Sequence, residues 1–261
     1  FMSKIIAIVN QKGGVGKTTT AVNLSAAIAD MGYKTLLIDI DPQANTCLGI
    51  GISRDKTNKG IYDLLIGNAK VNEVIIKTYK ENLYIIPSDS DLVGAQIELV
   101  SEIGREFKLK KAIESIKNNY EYILIDCPPT LGILTLNALT AADSVLIPIQ
   151  CEFYALDGVV ELNNTISLVK ENLNPNLFIE GVLLTMYDGR TKLSSEVVRE
   201  VVNFFKEKTY KTMIPRNVRL SEAPSYSKAI GDYDKECIGA RSYKEFAREF
   251  IEKSKKEKIK I

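Results

Sequence analysis

The chain has 261 residues, 45% hydrophobic and 26% charged, with a formal net charge of +1. That length predicts one large domain with a full core, and the near-neutral balance confines any nucleic-acid contact to a local patch. There is no histidine, which removes the usual general base and the commonest metal ligand.

The first predicted element is a strand at residues 5–9, an unbroken apolar run. It feeds Lys12-Gly-Gly-Val-Gly-Lys-Thr-Thr19 and then a helix over 18–31. A second strand, 35–38, runs into Asp39-Ile-Asp41-Pro-Gln43. Strand 83–86 and helix 107–118 follow, then strand 122–125, which ends on Asp126 before Cys127-Pro-Pro129. Strand 144–149, a helix over 156–172 stopped by Asn174-Pro175, strand 181–185 and a helix over 194–208 complete the alternation. A terminal helix is read from 241 to 261, lysine-rich from 252. Apolar runs alternating with amphipathic segments predict an α/β fold: a doubly wound, mostly parallel sheet flanked by helices, in one domain over 2–261. Phe1 ahead of Met2 is set aside as extraneous, and no secretory leader is read. No apolar run approaches ~18 residues, so no spanning helix is predicted and the chain is expected in the cytoplasm.

Strand, glycine-rich loop and helix are the context of a phosphate-binding loop. Gly13, Gly14 and Gly16 let the backbone turn its N–H groups inward, and the helix N-terminus adds a positive dipole end. Val15 completes the loop. Lys17 is expected to reach the β/γ-phosphates and the Thr18 hydroxyl to ligate Mg²⁺. Gln11 stands where the ordinary loop has glycine, and Lys12 adds a second lysine, the deviant Walker A pattern. Asp126 ends a hydrophobic strand in the Walker B manner and is expected to hold Mg²⁺ through water. Alternation sends Asp39 and Asp41 the same way, one to support the metal and the other to orient the attacking water.

These motifs resemble the ParA/Soj family of deviant Walker A ATPases, which have a P-loop NTPase fold. The resemblance covers Ser3 to about Phe250. Its further anchor is Ile214-Pro-Arg-Asn-Val-Arg-Leu-Ser-Glu-Ala-Pro-Ser225. Small departures are Ala44, where relatives often carry glycine, and Ser225-Tyr-Ser-Lys228 in place of a histidine-glycine version. The resemblance implies an ATP-dependent homodimer in which Lys12 crosses to the partner's nucleotide. It implies that Lys17 binds phosphate in cis, that Thr19 touches the α-phosphate side, and that Asp41 is needed for hydrolysis. Asp39 and Asp126 match acids around the Mg²⁺, and Pro215 and Asn217 the adenine site. Arg190 and Arg219 match arginines used on nonspecific double-stranded DNA, with Lys192, Lys206, Lys208, Lys211, Arg216 and Lys228 able to widen a basic face. It also implies association with the nucleoid and a ParB-like centromere-binding partner.

Two other classes compete. A MinD-like, membrane-recruited regulator or a positioner of protein cargo would bind lipid or protein in place of DNA. The tail offers few large apolar side chains for a membrane, and Phe246, Phe250 and Ile251 are expected to pack on the core. A metallocluster ATPase would need paired cysteines, and Cys47, Cys127, Cys151 and Cys237 have no such spacing.

Overall fold

An apolar run without polar alternation suits a strand whose sheet is covered on both faces. β1 (Lys4–Ile8), β2 (Thr35–Asp39) and β5 (Tyr122–Asp126) are buried at every residue. The computed structural model describes residues 3–52, 59–153 and 157–258. Between and beyond these strands lie α1 (Lys17–Asp30), α2 (Asn45–Gly49), α3 (Ile61–Ile66), α4 (Val71–Val74), β3 (Ile76–Lys77), β4 (Leu83–Ile86), α5 (Leu92–Glu98) and α6 (Lys108–Ile113). After β5 come α7 (Ile133–Ala141), β6 (Ser144–Gln150), α8 (Asp157–Asn172), β7 (Phe178–Thr185), α9 (Lys192–Phe205), α10 (Val218–Glu222), α11 (Ile230–Tyr233) and α12 (Ile238–Lys258).

The sheet order is β3-β4-β2-β5-β1-β6-β7. Every pairing is parallel except β3 with β4, an antiparallel edge. The chain leaves β1 toward β2 on one side, whereas β6 continues to β7 on the other. The carboxyl ends of β1 and β6 therefore flank a crevice where such sheets bind ligands.

Alternate residues of each strand supply two core layers. Ile5, Ala7, Ile38 and Ile125 pack on one face with α3, α5, α6 and α7. Ile6, Ile8, Leu37 and Leu124 pack on the other with Leu24 and Ile28 of α1 and Phe246 and Phe250 of α12. The expectation for Phe246, Phe250 and Ile251 is met: all three are buried.

Some boundaries differ from those expected. The helix read at 107–118 is broken: α6 covers only Lys108–Ile113, with single 3₁₀ turns at Arg105–Phe107 and Lys117–Asn119. Gly104, in the left-handed region, sets the first turn. The helix read at 194–208 closes at Phe205 because Lys206 takes a positive φ of 51°. The helix read from 156 begins at Asp157, and position 156 lies outside the described residues. The terminal helix starts three residues earlier than expected, at Ile238, and positions 259–261 lie outside the described residues.

Candidate nucleotide site and arginine face

β1 ends at the crevice, and residues 9–16 turn back to start α1. Asn10 anchors this turn: its side-chain amide donates to the Pro148 carbonyl at 2.7 Å and its Oδ1 accepts from Lys12 N at 2.9 Å. Gly14 and Gly16 have φ values of 76° and 88°, a region that disfavours any side chain. Gly16 caps α1 with no side-chain acceptor for the first-turn amides. Those amides and the helix dipole are offered to an anion. Thr185 Oγ1 donates to the Val15 carbonyl at 2.8 Å and ties the loop to the end of β7.

Lys17 is 7% exposed, and its Nζ lies over the loop, 3.1 Å from the Lys12 carbonyl. Burial lowers its pKa, and the nearby Asp126, Cys127 and Asp41 partly restore it. Lys12 faces outward. Its Nζ is 3.9 Å from Glu152, which also lies 3.6 Å from Arg216 and accepts from the Gln150 amide.

Parallel register places Asp39 of β2 beside Asp126 of β5. Both are fully buried, and burial raises both carboxyl pKa values, Asp39 further through the adjacent Asp126. Their surroundings separate their tasks. Asp39 accepts from the Asp41 amide at 3.0 Å and the Thr46 amide at 3.3 Å, so both oxygens hold the loop after β2. Asp126 Oδ2 accepts from Thr46 Oγ1 at 2.9 Å, while Oδ1 is buried without a hydrogen-bond partner. The Thr18 hydroxyl lies close enough to Asp126 to favour its ionised form. Asp41 is half-buried, and one of its oxygens accepts from the Gln43 amide at 3.0 Å. Ala44 then adopts a φ of 50°, the left-handed region that favours the glycine expected here from the family resemblance. Ser227, in the second departing segment, likewise has a φ of 55°.

Thr18 and Thr19 open onto a cleft of about 270 Å³ lined also by Val22, Asn45, Pro224 and Lys228. Pro215 and Asn217 run beside the end of β7, with Tyr187 N donating to the Ile214 carbonyl and Arg216 N to the Tyr187 carbonyl, both at 3.0 Å. Asn217 Oδ1 is buried and has no partner. Thr185 therefore connects this strip to the phosphate loop.

Arg190 and Arg219 leave the same end of β7. Arg190 is 89% exposed and chelates Asp188 through Nε and Nη2 at 2.8 and 2.7 Å. Its hydrogen bonds draw the Asp188 pKa down to about 2. Arg219 pairs with Glu222 at 2.9 Å and Asp234 at 3.5 Å, and its guanidinium lies over the Tyr233 ring. Of the residues expected to widen this face, Lys208 lies apart. Thr209 bridges to Val182 at the middle of β7, and Lys208 Nζ donates to the Ile179 carbonyl near its start. That places the Lys208 side chain toward the opposite end of the strand, because the chain from α9 returns along β7 before reaching Pro215.

The family model described as an AAA domain matches residues 3–179. The sporulation initiation inhibitor protein Soj of Bacillus subtilis is 56% identical over 248 residues, 95% of this chain and 98% of the relative. The chain belongs to the Soj/ParA family of chromosome-partitioning ATPases. The chromosome-partitioning ATPase Soj of Treponema pallidum is 53% identical, with 96% of this chain and 98% of the relative covered. Among solved structures, a cobyrinic acid a,c-diamide synthase of Mycobacterium smegmatis with bound ADP and magnesium is similar, with a TM-score of 0.83 and 36% identity. It covers 95% of this chain and 93% of that one. Against this Soj/ParA background, sequence reading missed Thr46, Thr185 and Glu152. Thr46 lies 80 residues from Asp126, and no local spacing announces their hydrogen bond.

Proposed function

We propose that this Soj/ParA ATPase is an ATP-dependent dimerising switch that grips double-stranded DNA nonspecifically, hydrolyses ATP slowly and thereby moves chromosome or plasmid cargo. The observation that carries this reading is the convergence at one crevice of the uncapped α1 N-terminus, buried Lys17 and the unpartnered Asp126 oxygen. Together they fit a nucleoside triphosphate with a divalent cation. Gly13 to Gly16 cradle the phosphates through backbone N–H groups, Lys17 neutralises them, and Thr19 reaches toward the α-phosphate. Asn217 Oδ1 can accept from an adenine amino group beside Pro215.

The fit to Mg²⁺ rests on Thr18 and Asp126, because among the described residues no three acidic, cysteine or histidine side chains converge as a metal group. Mg²⁺ would lower the charge on the phosphate oxygens as the terminal bond breaks. Asp39 positions the loop that carries Asp41, and Asp41 orients the attacking water. Lys12 projects outward and is suited to contact the nucleotide of a second copy, which makes hydrolysis depend on dimerisation. Arg190 and Arg219 would exchange their carboxylate partners for DNA phosphates, and a ParB-like protein would stimulate turnover on nucleoid-bound dimers. The described part of α12 commits Phe246 and Phe250 to the core, which favours this reading over lipid attachment.

The deciding experiment is binding to nonspecific duplex DNA with ATP, with ADP and without nucleotide, across a salt series. Salt-sensitive binding with ATP alone is expected. Equal binding in all three states would overturn the switch.

A further inference from the structure

Residues 214–233 form a strap between two parts of the fold. It leaves the end of β7 through the bonds that Tyr187 makes to Ile214 and Arg216, carries Asn217 and Arg219, and ends in α11 against α1. Ala223, Pro224 and Lys228 of the strap line the same cleft as Thr18, Thr19 and Val22 of α1. Asn217 is the N-cap residue of α10, a place where an asparagine side chain usually accepts from the first-turn amides. Here it makes no such bond, and its Oδ1 is buried without a partner. A buried acceptor of this kind costs free energy until a donor reaches it.

The far end of the strap decides where that oxygen sits. Leu220, Ala223 and Ile230 are buried, but apolar packing has no direction. Direction comes from two successive amides, each taken by a side chain from elsewhere. Ala229 N donates to Tyr79 Oη, in the turn between β3 and β4, at 3.0 Å. Ile230 N donates to Oδ1 of buried Asn23, on α1, at 2.7 Å. Tyr79 Oη in turn donates to Asp232 at 2.9 Å. Buried Lys80 joins Asp232 to Asp30, the last residue of α1, at 2.9 and 2.6 Å. The Asn23 amide also donates to the Thr19 carbonyl at 2.8 Å, so one side chain grips both the strap and the turn of α1 that opens onto the cleft.

We infer that Asn23 and Tyr79 are positioning residues for base recognition, fixing the strap where Asn217 Oδ1 meets the exocyclic amino group of adenine while the loop holds the phosphates. They act through the strap, by holding its Ala229 and Ile230 amides. The inference rests on the reading of Asn217 as the adenine acceptor.

The test is isothermal titration of the full chain with ADP and with IDP, each with Mg²⁺. Hypoxanthine carries a carbonyl oxygen where adenine carries the amino group, so only ADP can donate to Asn217 from that position, and diphosphates exclude hydrolysis. The wild type is expected to bind ADP about tenfold more tightly than IDP. Asn23→Ala and Tyr79→Phe should each lower that ratio to about threefold or less by weakening ADP, with IDP affinity within about twofold of wild type. Circular dichroism melts verify that both variants fold. Tyr79→Phe keeps the ring and leaves α1 intact, so its effect reaches the base only through the strap. A variant that keeps the wild-type ratio overturns the role of its residue. A parallel loss of ADP and IDP affinity would place the effect on the phosphate loop and overturn the inference. Equal binding of ADP and IDP by the wild type would strike the adenine reading of Asn217 itself, and the inference with it.

Discussion

Around the phosphate loop the polar groups are fixed by buried neighbours from distant parts of the chain, whereas Arg190 and Arg219 are held by surface carboxylates. Lys17, Asp39, Thr46 and Asp126 lose water when the chain folds, so each contact there acts in a low dielectric and tolerates little change. Arg190 and Asp188 are two residues apart, and Arg219 and Glu222 three. Such exposed pairs contribute little to stability and weaken with salt, so they are easily exchanged for another anion. A site that must hold one geometry is assembled from the whole fold. A surface that must bind and let go is assembled locally.

The largest effect should follow from Lys17→Ala. Isothermal titration is expected to register at least a hundredfold loss of ATP affinity, or ~2.7 kcal/mol. A smaller loss would mean that the loop amides suffice. Next, Arg219→Glu should reduce duplex DNA affinity about tenfold at low salt and flatten the salt dependence, with the ATP-bound dimer intact by sedimentation. A salt-independent loss would move Arg219 out of the exchangeable class.

Asp126→Asn probes the buried side of the comparison. Burial raises the carboxyl pKa of Asp126 above its unfolded value. As pH climbs from ~4, the unfolded chain releases that proton before the native chain does, so native stability declines until the native group also ionises. The substitution removes this penalty and keeps an acceptor for Thr46. Without nucleotide and Mg²⁺ it should stabilise the chain by ~1–2 kcal/mol at pH 8, the gain vanishing below about pH 4. Thermal melts at the two pH values would check this, and a loss at pH 8 would contradict it. Smallest of all, Ala44→Gly should add ~0.5–1 kcal/mol by relieving a left-handed alanine. Denaturant unfolding would measure it.

The central strands and the phosphate loop were legible because their signals are local: unbroken apolar runs, glycines at fixed spacing, carboxylates at strand ends. The elements missed in the sequence had no such contrast. α7 is buried almost throughout, so apolar periodicity cannot mark it. α5 has apolar residues on two faces, and β3 is only two residues long. Within the site, Lys17 and Asp126 were readable from motifs. The different duties of Asp39 and Asp126 were not, because they depend on which amides and hydroxyls the register brings to each oxygen. The carboxylates that restrain Arg190 and Arg219 were in view as residues, but their pairing needed the turn at Asp188 and the packing of α10 beside Tyr233.

The Thr20 hydroxyl in the first turns of α1 shares a hydrogen bond of 3.2 Å with the Tyr243 hydroxyl of α12, both out of contact with water. The ribosome makes these two residues 223 positions apart. The phosphate helix is thus among the first segments synthesised, yet one side of it stays uncovered until Ile238–Lys258 has emerged. A nascent chain shorter than that would carry a complete loop motif on a helix still exposing Leu24 and Ile28. Nucleotide grip in this protein is therefore a late event of biosynthesis, and a ribosome stalled before residue 238 should display the motif without the function.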